Sequence, residues 1–166
     1  MSFLKSCPAL LAILLVPLVA WGEPSMTGQT WLISMPDGRV DSDGTWRIGI
    51  SNADPYLAGW SSVSALPFLE VSGRYTRIKG VSGFEGKYAE SYGDYKDKSF
   101  DAKLVLLTES EYLPALAAGV QDLQGTGIFS ARYLAATKRL DQLDVTMGVG
   151  SQRIDGLFGG VRYHPA

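Results

Sequence analysis

The sequence predicts an all-β fold: an antiparallel up-and-down meander of about eight strands, forming a transmembrane β-barrel or an N-terminal portion of one. Three observations predict it. Apolar and polar residues alternate with period two in one segment after another, the mark of strands with two different faces. Beyond residue 22 no segment carries a long helical period. Glycine is abundant, 19 of 166 residues, and is spread among aromatic segments, as in sheets with tight turns. Periodicity alone leaves a soluble β-sandwich open as the alternative.

Residues 1–22 begin the chain with Lys5, an apolar stretch over 9–20, and Ala20-Trp21-Gly22, which places small residues where a signal peptidase reads. This is the pattern of a secretory signal peptide and is short for a transmembrane helix. Cys7, the one cysteine, lies within it and far from the expected cut, so it does not read as a lipid-bearing cysteine. Cleavage would leave a chain with no disulfide framework. Residues 23–44 form a polar leader with turn signals at Pro36-Asp37-Gly38 and Asp41-Ser42-Asp43-Gly44. The leader is expected to pack against or inside the sheet that follows. Residues 45–166 are the barrel domain.

In the first strand of that domain Trp46, Ile48 and Ile50 oppose Arg47, Gly49 and Ser51, and Asn52-Ala53-Asp54-Pro55 breaks the pattern. Residues 60–66 make a weaker second strand, and Pro67-Phe68 a reversal. Over residues 69–78, Val71, Gly73 and Tyr75 oppose Ser72, Arg74 and Thr76. Over residues 100–107, Phe100, Ala102, Leu104 and Leu106 share a face. Leu116, Ala118 and Val120 mark a fifth strand. Residues 129–138 follow, with Phe129, Ala131, Tyr133 and Ala135 on one side and Ser130, Arg132 and Leu134 on the other. Leu143, Val145, Met147 and Val149 alternate in the seventh, and residues 157–163 form the eighth. The links between these strands alternate between long and short, as in transmembrane barrels.

In a barrel, Trp46, Ile48, Ile50, Val71, Tyr75, Phe100, Leu104, Leu106, Tyr133, Val145, Met147 and Val149 face lipid. Arg47, Arg74, Lys103, Arg132, Asp101 and Asp144 face the interior. The physical reason is cost: an Arg at mid-depth on the lipid face is destabilising by ~2–4 kcal/mol. Arg47, Arg74, Lys103 and Arg132 are therefore the candidates to line a lumen or contact a polysaccharide, with pairing to Asp101, Asp144 and their neighbours as the plainer role. The segment over residues 79–99 reads as a long loop in which Phe84, Tyr88, Tyr92 and Tyr95 stand among charges. Such tyrosines can stack on sugar rings, or form a girdle at the barrel rim.

The formal net charge is −2, with no basic run of the kind that binds nucleic acid. The one histidine, His164, lies near the end of the sequence, and there is no Gly-x-Ser-x-Gly elbow, so a Ser-His-Asp arrangement has no base. Glu109 with Glu111, and Asp94 with Asp97, read as surface turn carboxylates. Asp37, Asp41 and Asp43 lack the twelve-position calcium loop, and no cluster has zinc spacing. The expectation is a chain that is not an enzyme, with no catalytic residue, cofactor or metal.

Several motifs occur in a fixed order. They are Gly28-Gln29-Thr30-Trp31-Leu32-Ile33-Ser34-Met35-Pro36-Asp37-Gly38-Arg39, Asn52-Ala53-Asp54-Pro55-Tyr56, and Leu66-Pro67-Phe68-Leu69-Glu70-Val71-Ser72-Gly73-Arg74-Tyr75-Thr76. Next come Tyr95-Lys96-Asp97-Lys98-Ser99-Phe100-Asp101-Ala102-Lys103, Glu109-Ser110-Glu111-Tyr112-Leu113-Pro114-Ala115-Leu116-Ala117, and Gly125-Thr126-Gly127-Ile128-Phe129-Ser130. In order and spacing this set resembles the YjbH-type outer-membrane proteins of exopolysaccharide biosynthesis. The resemblance implies an outer-membrane β-barrel of a Gram-negative bacterium, serving the making or export of an extracellular polysaccharide. It implies as partners that polysaccharide, other envelope export proteins and outer-membrane lipid, and it carries no catalytic residues. Asp37 and Gly38 depart from the family's usual small hydroxyl residue and Ala. Family members are also several times longer, so the expectation is a truncated or split member. A small closed surface barrel, or a periplasmic sandwich with a structural or carbohydrate-binding role, is the alternative.

Overall fold

The computed structural model describes residues 25–83 and 93–165. The expected signal peptide, together with Phe84, Tyr88 and Tyr92, lies outside the described residues. Two short strands, β1 (Trp31–Leu32) and β2 (Met35–Pro36), pair with each other in the leader. Eight longer strands follow: β3 (Trp46–Ala53), β4 (Tyr56–Leu66), β5 (Leu69–Ser82), β6 (Asp94–Leu107), β7 (Ala115–Gly125), β8 (Ala131–Leu140), β9 (Leu143–Gln152) and β10 (Gly156–Tyr163). They form one antiparallel sheet in the order β10-β9-β8-β7-β6-β5-β4-β3, so every strand pairs with its neighbour in sequence. This is the expected meander. The sheet curls but stays open: β3 and β10 are its two edges and do not pair with each other among the described residues.

Several strands run further than hydrophobic alternation reaches. β4 starts at Tyr56, leaving only Asp54 and Pro55 as its link to β3. β6 starts at Asp94, so Tyr95 is not a loop residue; it pairs with Ile78 of β5. Backbone pairing continues where Tyr95-Lys96-Asp97-Lys98 supplies no apolar face to read. The long-and-short alternation of links dissolves as a result, because Asp54–Pro55, Pro67–Phe68 and Asp141–Gln142 are all two-residue reversals.

The two faces are sorted inside out relative to a water-soluble sheet. The convex face carries large apolar side chains in the open. Leu157 is 88% exposed, Ile50 80%, Ile48 73% and Met147 69%. The concave face buries polar and charged groups, among them Arg47, Glu70, Arg74, Asp101, Lys103, Thr137 and Asp144, with alanines filling much of the remainder. The leader lies against this concave face. Its Gly38 N–H donates to Thr137 Oγ1 at 2.8 Å, and β1 and β2 both contact β10. Trp60 points into the same space between Gly28, whose φ is +90°, and Gly49; a Cβ on either would come within 2.5 Å of the indole.

β8 reverses the expected assignment. Ala131, Tyr133 and Ala135 face the concave side, and Arg132, with Leu134, faces out. Tyr133 lies over Gly119 on β7, where a Cβ would meet its ring at 2.2 Å, so the missing side chain makes room for the phenol. Arg132 is the second residue of its strand and pairs with Ser151 near the end of β9. In a membrane-spanning sheet, an Arg against lipid near a strand end would cost only ~0–1 kcal/mol.

Candidate functional site

The concave face holds three of the four strand cations singled out in the sequence, Arg47, Arg74 and Lys103, each on a different strand. Arg47 and Lys103 belong to one network with Glu70 of β5 and the leader. Lys103 has no exposed surface. Its ammonium donates to the Thr30 carbonyl and to Asp37 Oδ1 at 3.1 Å, and stands 3.5 Å from Glu70 Oε2. Glu70 Oε1 accepts the Thr30 N–H at 2.8 Å and an Arg47 N–H at 3.2 Å. Arg47 also reaches Asp41 Oδ2 at 2.6 Å. Burial pushes the Asp41 carboxyl above its ordinary range while the Arg47 guanidinium opposes the shift. Each ion here has a partner, which a buried charge requires.

A second cluster closes the end of the concave face that carries residues 108–114. Arg39 of the leader binds Glu109, and its other amino group lies 2.9 Å from Asp144 Oδ2. Asp144 also accepts from Arg139 and meets His164 Nε2 at 2.8 Å. Glu109 accepts the Arg139 backbone N–H at 2.7 Å and faces Lys138 at 3.4 Å. Burial raises the Glu109 carboxyl, but the Arg139 amide and the Arg39 guanidinium outweigh it and hold Glu109 below the usual carboxylate range.

The third group lies toward the opposite end. Arg74 Nε donates to Ser99 at 3.1 Å, and Asp101 stands 4.0 Å from its Nη2. Asp101 also accepts the Asp122 N–H at 2.8 Å. Of the pairings expected for Arg47, Arg74, Lys103 and Arg132, the structure places Asp101 beside Arg74, whereas Asp144 meets Arg39, Arg139 and His164 instead. Sequence reasoning missed Asp37, Asp41 and Glu70, although the turn motifs of the leader already placed two of these carboxylates where a folded-in segment would deliver them. Among the described residues no three His, Cys, Asp or Glu side chains are placed to hold a metal ion. The geometry suits holding a polar segment, the leader, in place against the sheet.

The family model described as "Exopolysaccharide biosynthesis protein YbjH" matches residues 24–165. A curated relative, the uncharacterized lipoprotein YjbH of Escherichia coli (strain K12), is 37% identical over 128 residues, covering 74% of this chain. The chain spans only 18% of that relative's length. No solved structure matches.

Proposed function

The chain belongs to the YjbH family of exopolysaccharide biosynthesis proteins, and from that premise we propose that it is a non-catalytic, structural component of the outer membrane of a Gram-negative bacterium. Its convex face meets lipid, its concave face is held by the leader, and it supports the assembly or export of an extracellular polysaccharide alongside other envelope proteins. The observation that carries this reading is the inside-out sheet. In water, leaving side chains such as Leu157, Ile50, Ile48 and Met147 in the open forfeits ~1.5–3 kcal/mol for each one that could have been buried. In hydrocarbon the same face is at home, and every charge on the concave side is kept from it. A structural role is favoured over a conduit through this sheet, because the leader and its ion pairs occupy the space a polymer would need.

Spin labels test the placement. In a Cys7→Ser background, nitroxides at Ile48 and Met147 in outer-membrane vesicles should be accessible to oxygen and shielded from a water-soluble relaxant. A label at Asp43, in a leader turn, should show the reverse. Aqueous behaviour at all three positions would remove the protein from the membrane.

A further inference from the structure

We propose that the open end of the concave face, where Arg74 and Arg153 flank Phe129, is a binding site for an anionic sugar unit. A cavity of about 270 Å³ opens there between β3, β4, β5 and β7, with residues of the leader on one wall. At ~30 Å³ for each water of the liquid, that is room for about nine waters, or for a single sugar ring in their place.

Three properties of the walls point to the ligand. The first is aromatic surface. Tyr56 and Phe129 meet edge to face at 5.6 Å and 75°; Phe129 is buried, and the part-buried Tyr56 is the ring against which the C–H face of a pyranose can rest. The second is charge. The Arg153 guanidinium lies 4.5 Å from the Phe129 centroid and 5.2 Å from that of Tyr56, and the Arg74 guanidinium lies 5.0 Å from the Phe129 centroid. Among the described residues no Asp or Glu lines the cavity. Asp101 answers Arg74 from behind at 4.0 Å, and Arg153 has no carboxylate in ion-pair range among the described residues.

The third property is unmet hydrogen bonding. Arg74 Nη2, Thr76 Oγ1 and Gln121 Nε2 are buried and have no hydrogen-bond partner among the described residues. Arg74 is 9% exposed, Gln121 3% and Thr76 2%. Buried polar atoms are nearly always satisfied, so this convergent set calls for oxygens from outside the chain. Guanidiniums select an anionic group and can grip a carboxylate or phosphate through two N–H donors. The hydroxyl and the amide select hydroxyl oxygens, which a simple inorganic anion lacks. A neutral sugar would leave the guanidiniums unanswered. The choice of a saccharide over other hydroxylated anions rests on the exopolysaccharide assignment above; the anion-selective pocket does not.

Titration calorimetry on the full chain in detergent micelles tests the site. The probes are trigalacturonate, neutral galactotriose and galactose 6-phosphate. An acidic sugar should bind at least about tenfold more tightly than the neutral trimer, the span expected of hydrogen bonds to a charged group. The uronide and phosphate arms identify which anion the site takes. Arg153→Gln, at an exposed loop position, should abolish that preference with the melting temperature unchanged. Thr76→Val should weaken acidic and neutral sugars alike. Equal binding of neutral and acidic sugars, no binding of either, or an unaltered preference in Arg153→Gln would overturn the site. A chain that inserts into membranes yet ignores both acidic sugars sinks this inference alone. One that binds them but fails the spin-label test sinks only the membrane placement.

Discussion

Lys103 has no contact with solvent and sits among Asp37, Glu70 and the Thr30 carbonyl. Replacing it by Met removes one charge and leaves three buried carboxylates, Asp37, Asp41 and Glu70, with Arg47 as the remaining cation. The expected loss is about 3–5 kcal/mol of folding stability, the usual cost of breaking a buried pair from one side. Urea unfolding in detergent should read that loss, and Lys103→Met with Glu70→Gln should recover part of it. Full additivity of the two changes would mean that the residues do not interact. Lys103, Arg47 and Arg74 were legible as inward-facing residues because hydrocarbon rejects charge. The principal partners of Lys103 and Arg47 were not, since Asp37 lies 66 positions from Lys103 and nothing local announces the meeting.

At the level of elements, alternation read the faces of β3, β5, β6 and β9 correctly because large apolar residues there oppose charges. It failed on β8. Alanines at 131, 135 and 136 look the same from either side, and the remaining cue set Tyr133 against Arg132. That cue pointed the wrong way, because a glycine on the neighbouring strand admits a phenol to the polar side. The leader lies against the sheet, and its attachment through Glu109 has a pH signature. Glu109 titrates below its unfolded value, so its contribution to stability is complete above pH ~4.3. That contribution is lost as the pH falls through the lower, folded value. The charges facing it are Arg39 of the leader and Lys138 and Arg139 of β8, with Asp144 of β9 sharing the two arginines. Once the intrinsic slowing of exchange in acid is divided out, the protection factors of the leader amides should therefore fall on acidification from pH 6 to pH 3. In Glu109→Gln the leader should already exchange faster at pH 6 and respond less to acid. An identical acid response in the variant would place the titration elsewhere.

For the whole molecule, the decisive fact is that the sheet has two ends. Among the described residues the amides of β3 and β10 that point away from their single neighbours have no ladder partner, while β5 and β6 are paired on both sides. In detergent, deuterium exchange should be fastest along β3 and β10 and slowest in β5 and β6. Equal protection at the edges and the centre would mean that the edges are joined. Closure could not be read from the sequence, because strand periodicity specifies faces and leaves the edges unspecified. Hydrocarbon is severe on bare backbone, so a sheet of this shape placed in a bilayer has its margins met by other polar groups. The tucked-in leader sets an order in time. Each long strand pairs with its neighbour in sequence, so the hairpins can zip one after another with little loop to close. Gly38 must wait for Thr137, 99 positions later. The start of residues 25–165 is thus held at two ranges: Met26 and Thr30 by strands made soon after it, and Gly38 by one that exists only when most of the sheet has been made.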